Sequence, residues 1–262
     1  GIDMVMVAFD YKRFIDTLTQ AVQKGDVSQA RIDDAVRRIL YAKFKLGLFE
    51  HPFPDEKLLD EFGAQSHREV AREAVRKSLV LLKNDADTLP LAKDTPKIYV
   101  AGDAADDIGV ACGGWTVSWL GGRGAITDGS TLLEGLRLHL GDRVVYQEDG
   151  DFDSEDKAEI GIVAVTEVPY AEGFGDREDL SLPEHDVQLV KRMRQHCEKL
   201  VFILYSGRPL VITDIVEDCD AIIAAWLPGS EANAIADVLV GDYAFTGKLP
   251  YSWPRNMQQV PL

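Results

Sequence analysis

The chain has 262 residues, 46% of them hydrophobic, and its 28 basic and 44 acidic side chains give a formal charge of −16. This length fits one large domain, or one domain with a piece of another. The negative charge argues against nucleic acid or an anionic membrane surface as a partner, because both would be repelled, whereas a neutral ligand is compatible.

The cysteines and the hydropathy pattern bear on disulfides, metal sites and membrane spans. Cys112, Cys197 and Cys219 are odd in number and widely spaced, so the sequence predicts neither a disulfide framework nor a zinc site. We expect no metal and no cofactor. No run reaches the roughly 20 apolar residues that a membrane span requires, so none is predicted.

The first 50 residues predict one strand and two helices. "GIDMVMV" is typical of a buried strand, and because it starts without methionine we expect further residues upstream. Apolar residues at helical spacing predict a helix over 11–24 that ends at Gly25. Ser28 is the expected N-cap of a second helix, which ends at Gly47.

The rest of the chain alternates strands and helices after a proline-bearing linker, "HPFPDEKLLDEFGAQ". Ser66 and Glu69 predict a capping box at the start of a helix, and helices are also predicted over 132–140, 183–196 and 231–239. This alternation indicates a doubly wound, mostly parallel, six-stranded α/β sandwich. The predicted strands are "SLVLLKN", "KIYVAG", "RVVYQ", "EIGIVAVTE", "LVFILY" and "DAIIAAW", with "FTGKLPYSW" as a last edge strand.

In such sheets ligands bind beyond the carboxyl ends of the strands, where an acidic segment, "VPYAEGFGDRED", follows one strand. Gly173 and Gly175 would let this segment carry a side chain on a mobile arm. Tyr170 and Phe174 would lower the local polarity and raise the pKa of Glu172 toward acid catalysis. The alternative is that the neighbouring carboxylates, Glu167, Asp176, Glu178 and Asp179, form a solvated face.

A second segment, "CGGWTVSWLGG", places Trp115 and Trp119 four residues apart among glycines. Exposed indole faces stack well on the apolar face of a sugar ring. Two isolated tryptophans favour core packing, but beside an acidic loop they favour a carbohydrate site. A phosphate cradle in "GGRGAITDGS" matches neither glycine-rich fingerprint, and Ser206 lies in no nucleophile elbow.

Several strings resemble, in order, those of glycoside hydrolase family 3, the β-glucosidases and exo-β-glucanases. They include "RIDDAVRRILYAKFKLGLFE", "CGGWTVSWLGG", "PYAEGFGD", "SGRPLVI" and "AAWLPGSEANAIADVLVGDYAFTGKLPYSWP". The resemblance implies the end of a TIM-like (β/α)8 barrel over residues 1–50, a linker over 51–66 and the α/β sandwich over 67–262. The upstream barrel domain would be the partner of this chain, and the site would lie between the domains.

The resemblance also implies roles for individual residues. Glu172 falls on the acid/base of a retaining glycosidase, with Glu167 as the fallback, and the aspartate nucleophile would lie upstream of Gly1. Trp119, with Trp115 beside it, falls on the sugar-stacking tryptophan, and Met6 on a residue lining the terminal-sugar subsite. The implied substrate is a β-glucan or β-glucoside, and the implied location is periplasmic or secreted. The alternative is a non-catalytic α/β ligand-binding or scaffold module.

Overall fold

The computed structural model describes residues 1–152 and 157–261, and it divides into two compact units, Gly1–Phe62 and Gly63–Leu262. Within the described residues, no helix is long and apolar enough to cross a membrane. The helices are α1 Tyr11–Lys24, α2 Gln29–Lys45, α3 Gln65–Ser78, α4 Ile108–Cys112, α5 Leu132–Leu140, α6 Glu184–His196 and α7 Ala234–Leu239. The strands are β1 Val80–Asn84, β2 Ile98–Ala101, β3 Val144–Tyr146, β4 Ala158–Thr166, β5 Cys197–Tyr205 and β6 Ala221–Trp226.

The first unit contains the two predicted helices. Gly25 ends α1 in the left-handed conformation, with φ 83°, and the Ser28 hydroxyl caps α2 by accepting from the backbone N–H of Arg31. Residues 1–10 form no strand, so that prediction was wrong. A strand needs a neighbouring backbone to complete its ladder, and this unit offers only helices. Arg31 instead holds the segment by donating to Asp3 Oδ1 at 2.8 Å.

The helices of the first unit leave their apolar faces exposed. Neither α1 nor α2 contains a buried residue within the described chain. An amphipathic helix gains most of its stability from covering such a face. The exposed apolar side chains of the two helices include Ile15, Val36, Leu40, Tyr41 and Phe44.

The second unit confirms the predicted six-stranded, mostly parallel sheet, whose order is β1-β6-β5-β4-β2-β3. β1 pairs antiparallel with β6, and the other neighbouring pairs are parallel. Alternate residues face two apolar cores: Ile98 and Val100 belong to the core that contains residues of α3, α5 and α7. Tyr99 and Ala101 belong to the core of α6. Both faces are therefore covered, which explains the unbroken apolar runs.

Two local predictions in this unit were wrong. Ser66 and Glu69 form no capping box, because α3 begins at Gln65 with Ala64 as its N-cap, so Ser66 already lies inside the helix. The segment 245–253, predicted as an edge strand, contains no strand. It is fixed by side-chain contacts instead: Trp253 Nε1 donates to the carbonyl of Leu210 at 2.6 Å.

Candidate active site loops

Three long loops leave the same edge of the sheet because β2, β4 and β6 run parallel. We call residues 112–122, after β2, the tryptophan loop, and residues 167–182, after β4, the acidic loop. The backbones of these loops touch: a Cβ on Gly114 would lie 2.0 Å from the carbonyl oxygen of Tyr170. A Cβ on Gly113 would lie 2.8 Å from Leu227, in the loop after β6. The three loops therefore converge at this edge of the sheet.

The tryptophan loop displays its indoles to solvent. Trp115 is 68% exposed and Trp119 is 44% exposed, so the alternative of core packing does not hold for either side chain. Their ring centroids lie 6.4 Å apart, and the Trp115 N–H donates to the Trp119 carbonyl at 3.0 Å. Trp115 has φ 63°, a left-handed conformation that costs free energy in a residue other than glycine. The loop therefore holds a partly strained, open aromatic surface.

The tip of the acidic loop lies beside that surface. Glu172 starts a short 3₁₀ turn, Glu172–Gly175, with φ 51°, and it is exposed. Phe174 contacts Trp119 edge to face, with a centroid distance of 5.2 Å. This arrangement differs in detail from the predicted one, because Tyr170 does not shield Glu172 but packs against Arg208. The tip therefore carries an exposed carboxylate two residues from the side chain that contacts Trp119.

The base of the acidic loop is organised around Glu167, whose side chain is only 8% exposed. Arg208 donates to Glu167 Oε1 from Nε at 3.0 Å and from Nη2 at 2.8 Å, and Arg177 Nη2 lies 3.5 Å from the same oxygen. Burial, with Glu167 adding to it, raises the pKa of Tyr170, so the phenol keeps its proton and donates to Glu167 Oε2 at 3.4 Å. The solvated-face interpretation is wrong for Glu167.

The remaining carboxylates of the loop, Asp176, Glu178 and Asp179, are exposed, as that interpretation expects. Gly173 and Gly175 differ in role. A Cβ on Gly175 would lie 2.1 Å from the Tyr170 ring, whereas one on Gly173 would approach nothing closer than 3.9 Å. Gly175 is therefore needed for packing and not for mobility.

Sequence reasoning missed Arg208 as a site residue. It lies 41 positions from Glu167, and only the pairing of β4 with β5 brings the two together. The sequence feature that could have identified Arg208 is "SGRP", directly after β5, where only Ser206 was considered as a site residue. Ser206 itself is buried and donates to the Arg208 carbonyl at 2.7 Å, a local turn contact.

The other predicted residues belong to the first unit or have no reactive setting. Met6 is 95% exposed in the first unit, and its role stays a prediction. Burial raises the pKa of Cys197 to about 11 and that of Cys219 to about 12, which keeps both thiols protonated and inert. Among the described residues, no group of three or more histidine, cysteine or acidic side chains could hold a metal ion.

The fold and the loops define a class: an α/β sandwich that exposes a carboxylate and aromatic side chains at the carboxyl edge of its sheet. The chain belongs to glycosyl hydrolase family 3, because the model of the family's C-terminal domain matches residues 79–262. The family resemblance carried by the sequence strings is thereby confirmed.

Curated relatives extend the match over the whole chain. A lysosomal beta glucosidase of Dictyostelium discoideum is 34% identical over 99% of this chain and 34% of its own length. A periplasmic beta-glucosidase of Salmonella typhimurium is 31% identical over 100% of this chain and 39% of its own length. The chain thus spans between a third and two fifths of the length of these relatives.

Solved structures show the same architecture. The exo-1,3/1,4-beta-glucanase ExoP of a Pseudoalteromonas species matches with a TM-score of 0.89 and 38% identity, over 97% of this chain and 34% of that one. A beta-glucosidase of Listeria innocua, in complex with glucose, matches with a TM-score of 0.80 and 32% identity, over 94% of this chain and 35% of that one.

Proposed function

We propose that this chain is the carboxyl-terminal part of a retaining β-glucosidase or exo-β-glucanase, which hydrolyses non-reducing terminal β-D-glucosyl residues of β-glucans or β-glucosides. The observation that carries the proposal is the exposed Glu172 on a loop tip whose Phe174 contacts the open indole of Trp119. The names of the relatives, beta-glucosidases and an exo-1,3/1,4-beta-glucanase, support the same substrate class.

Glu172 acts as the acid/base in this proposal. In the first step it gives its proton to the glycosidic oxygen as the C–O bond breaks and the nucleophile forms a glycosyl ester. In the second step its carboxylate takes a proton from water, whose oxygen attacks the anomeric carbon and releases the nucleophile. An exposed carboxylate on a loop can reach a substrate outside this unit, which Glu167 at the loop base cannot do without breaking its ion pair with Arg208.

Trp119 and Trp115 supply apolar surface for the sugar beyond the scissile bond, and Met6 lines the terminal-sugar subsite. The edge of Phe174 against Trp119 supports this assignment, because it links the acid-bearing tip to the stacking surface. Stacked aromatic contacts contribute about 1 kcal/mol beyond the burial of area.

The nucleophile and the barrel belong to an upstream part of the enzyme, with residues 1–50 as the end of the barrel, 51–66 as a linker and 67–262 as the sandwich. The exposed apolar faces of α1 and α2 support this, because a barrel would cover them. By itself the chain holds one of two required carboxylates, so we expect it to be inactive.

Substitution of Glu172 in the complete enzyme tests the proposal. Glu172→Gln should lower kcat/KM by about 10²- to 10⁴-fold for substrates with poor leaving groups and far less for activated aryl glucosides. Glu178→Gln, an exposed carboxylate of the same loop, is the matched control and should leave both rates unchanged. Equal rates in Glu172→Gln and the parent enzyme would favour the non-catalytic module.

A further inference from the structure

A cavity of about 370 Å³ lies behind the acidic loop, within the second unit. Its volume falls in the range of small-molecule sites, about 300–1,000 Å³. The loop, the end of β4, the start of α6 and one arginine from the segment after the tryptophan loop form its walls. Neither Glu172 nor the two tryptophans line it. Residues that matter for its chemistry are Arg123, Tyr170, Phe174, Arg177, Leu182 and Asp186.

Asp186 is the unusual group in this cavity. Its side chain is only 6% exposed, and its Oδ2 atom is buried with no hydrogen-bond partner among the described residues. Oδ1 lies 3.3 Å from Nε2 of the exposed His185. Burial raises the pKa of Asp186 to about 6. A buried acceptor left unpaired is costly, so this carboxylate is set up to accept a hydrogen bond from a bound group.

Three guanidinium groups line the same space, and that of Arg208, after β5, is engaged by Glu167. Arg123 Nη1 donates to Asp103 Oδ2 at 2.7 Å, and its other N–H groups have no acceptor within the described part of the chain. Arg177 makes only the 3.5 Å contact to Glu167. The cavity thus combines an unpaired acceptor, Asp186 Oδ2, with free N–H donors of the arginines. Its walls also carry the Glu167–Arg208 ion pair.

This combination selects the chemistry of the ligand. An anion would meet Asp186 and Glu167, and a cation would meet Arg123 and Arg177. A hydroxyl group suits both, because it donates one hydrogen bond and accepts others, while a carboxylate only accepts and a guanidinium only donates. Tyr170, Phe174 and Leu182 add apolar walls for the C–H face of a sugar ring.

We propose that this cavity is a second sugar site, in which Asp186 accepts from the hydroxyls of a mono- or disaccharide and Arg123 and Arg177 donate to them. Because Tyr170 and Phe174 belong to the acidic loop, a sugar bound here contacts the inner face of that loop. Occupancy would then favour one position of the tip that carries Glu172.

Calorimetric titration of the 262-residue chain with D-glucose and with laminaribiose tests the proposal. We expect saturable binding, weakened by about tenfold or more in Asp186→Leu, which removes a charged acceptor. Glu178→Leu, the matched change outside the cavity, should bind like the parent chain. Absence of saturable binding, or undiminished binding by Asp186→Leu, would overturn the proposal.

A second readout needs no variant and stands even where Asp186→Leu fails to fold. Titration of ¹⁵N-labelled chain with D-glucose should shift amide resonances of residues 167–186. Shifts confined to residues 112–122 would place the sugar on the tryptophan loop and contradict the proposal. Both readouts measure binding and not bond cleavage, so their failure is distinguishable from a failure of Glu172 in hydrolysis.

Discussion

The base and the tip of the acidic loop carry the same kind of side chain in opposite environments. Glu167 at the base is buried and held by Arg208, whereas Glu172 at the tip is exposed, on the turn whose Phe174 contacts Trp119. The same contrast applies to Gly175, which packs on Tyr170, and Gly173, which packs on nothing close. The base of the loop is therefore packed and its tip is exposed. Composition alone does not distinguish base from tip, because both contain glutamate and glycine.

Loss of Arg208 should show the largest difference between base and tip. Arg208→Met leaves the buried Glu167 carboxylate with only the long contacts to Arg177 and the Tyr170 hydroxyl, so we expect the free energy of unfolding to fall by about 3 kcal/mol. Glu172→Gln should change it by less than about 0.5 kcal/mol. Urea denaturation of the parent chain and of the two variants measures both changes in the free energy of unfolding. A loss below about 1 kcal/mol in Arg208→Met would mean that the ion pair does not anchor the base.

The two glycines provide the next test. Gly175→Ala places a Cβ 2.1 Å from the Tyr170 ring and should lower the free energy of unfolding by about 2 kcal/mol through overpacking. Gly173→Ala, two residues away in open space, is the matched control and should be neutral. Thermal denaturation compares them. Equal stability of the two variants would show that Tyr170 is not seated against the loop.

Asp186 extends the contrast to the helix behind the loop. Its pKa is raised to about 6 from an ordinary 3.8, so between these values the native state binds more protons than the unfolded state and stability falls as pH rises. A pKa shift of two units corresponds to about 3 kcal/mol of stability. Removal of the Asp186 charge would offset part of this gain, because a negative charge is favourable at the N-terminus of α6. The groups that face it are His185, Asp103 and Arg123.

Asp186→Asn should therefore be more stable than the parent chain by about 2 kcal/mol at about pH 7.5, with the advantage shrinking toward about pH 4. Urea denaturation at both pH values measures the difference, with Glu178→Gln as the exposed control. A variant less stable than the parent at the higher pH would mean that Asp186 has a structural partner and is not an open acceptor.

Phe174 should give the smallest effect on hydrolysis, because it acts there by positioning the tip. Phe174→Ala removes the edge contact with Trp119, worth about 1 kcal/mol, so kcat/KM of the complete enzyme for poor leaving groups should fall about fivefold. Val168→Ala, an exposed change at the loop base, is the control. Equal kinetics of the two variants would show that the contact does not position Glu172.

Local patterns predicted much of the fold and part of the site. The periodicity of α1 and α5 and the glycine after α1 fix their bounds, and apolar runs identify the six strands. What failed depends on tertiary partners. Residues 1–7 carry strand propensity but have no neighbouring strand in their unit. The pairing of Glu167 with Arg208 and the burial of Asp186 follow from sheet order and helix packing, which no local pattern encodes.

The most direct test of the central claim, that Glu172 at the loop tip is the acid/base, is the product that a Glu172→Ala variant of the complete enzyme forms from an activated aryl β-glucoside in the presence of azide. With the carboxylate gone, azide meets no negative charge and attacks the glycosyl ester in place of water. The account predicts a faster reaction with β-glucosyl azide as product. Glucose alone, released at the parent rate and unaffected by azide, would contradict it.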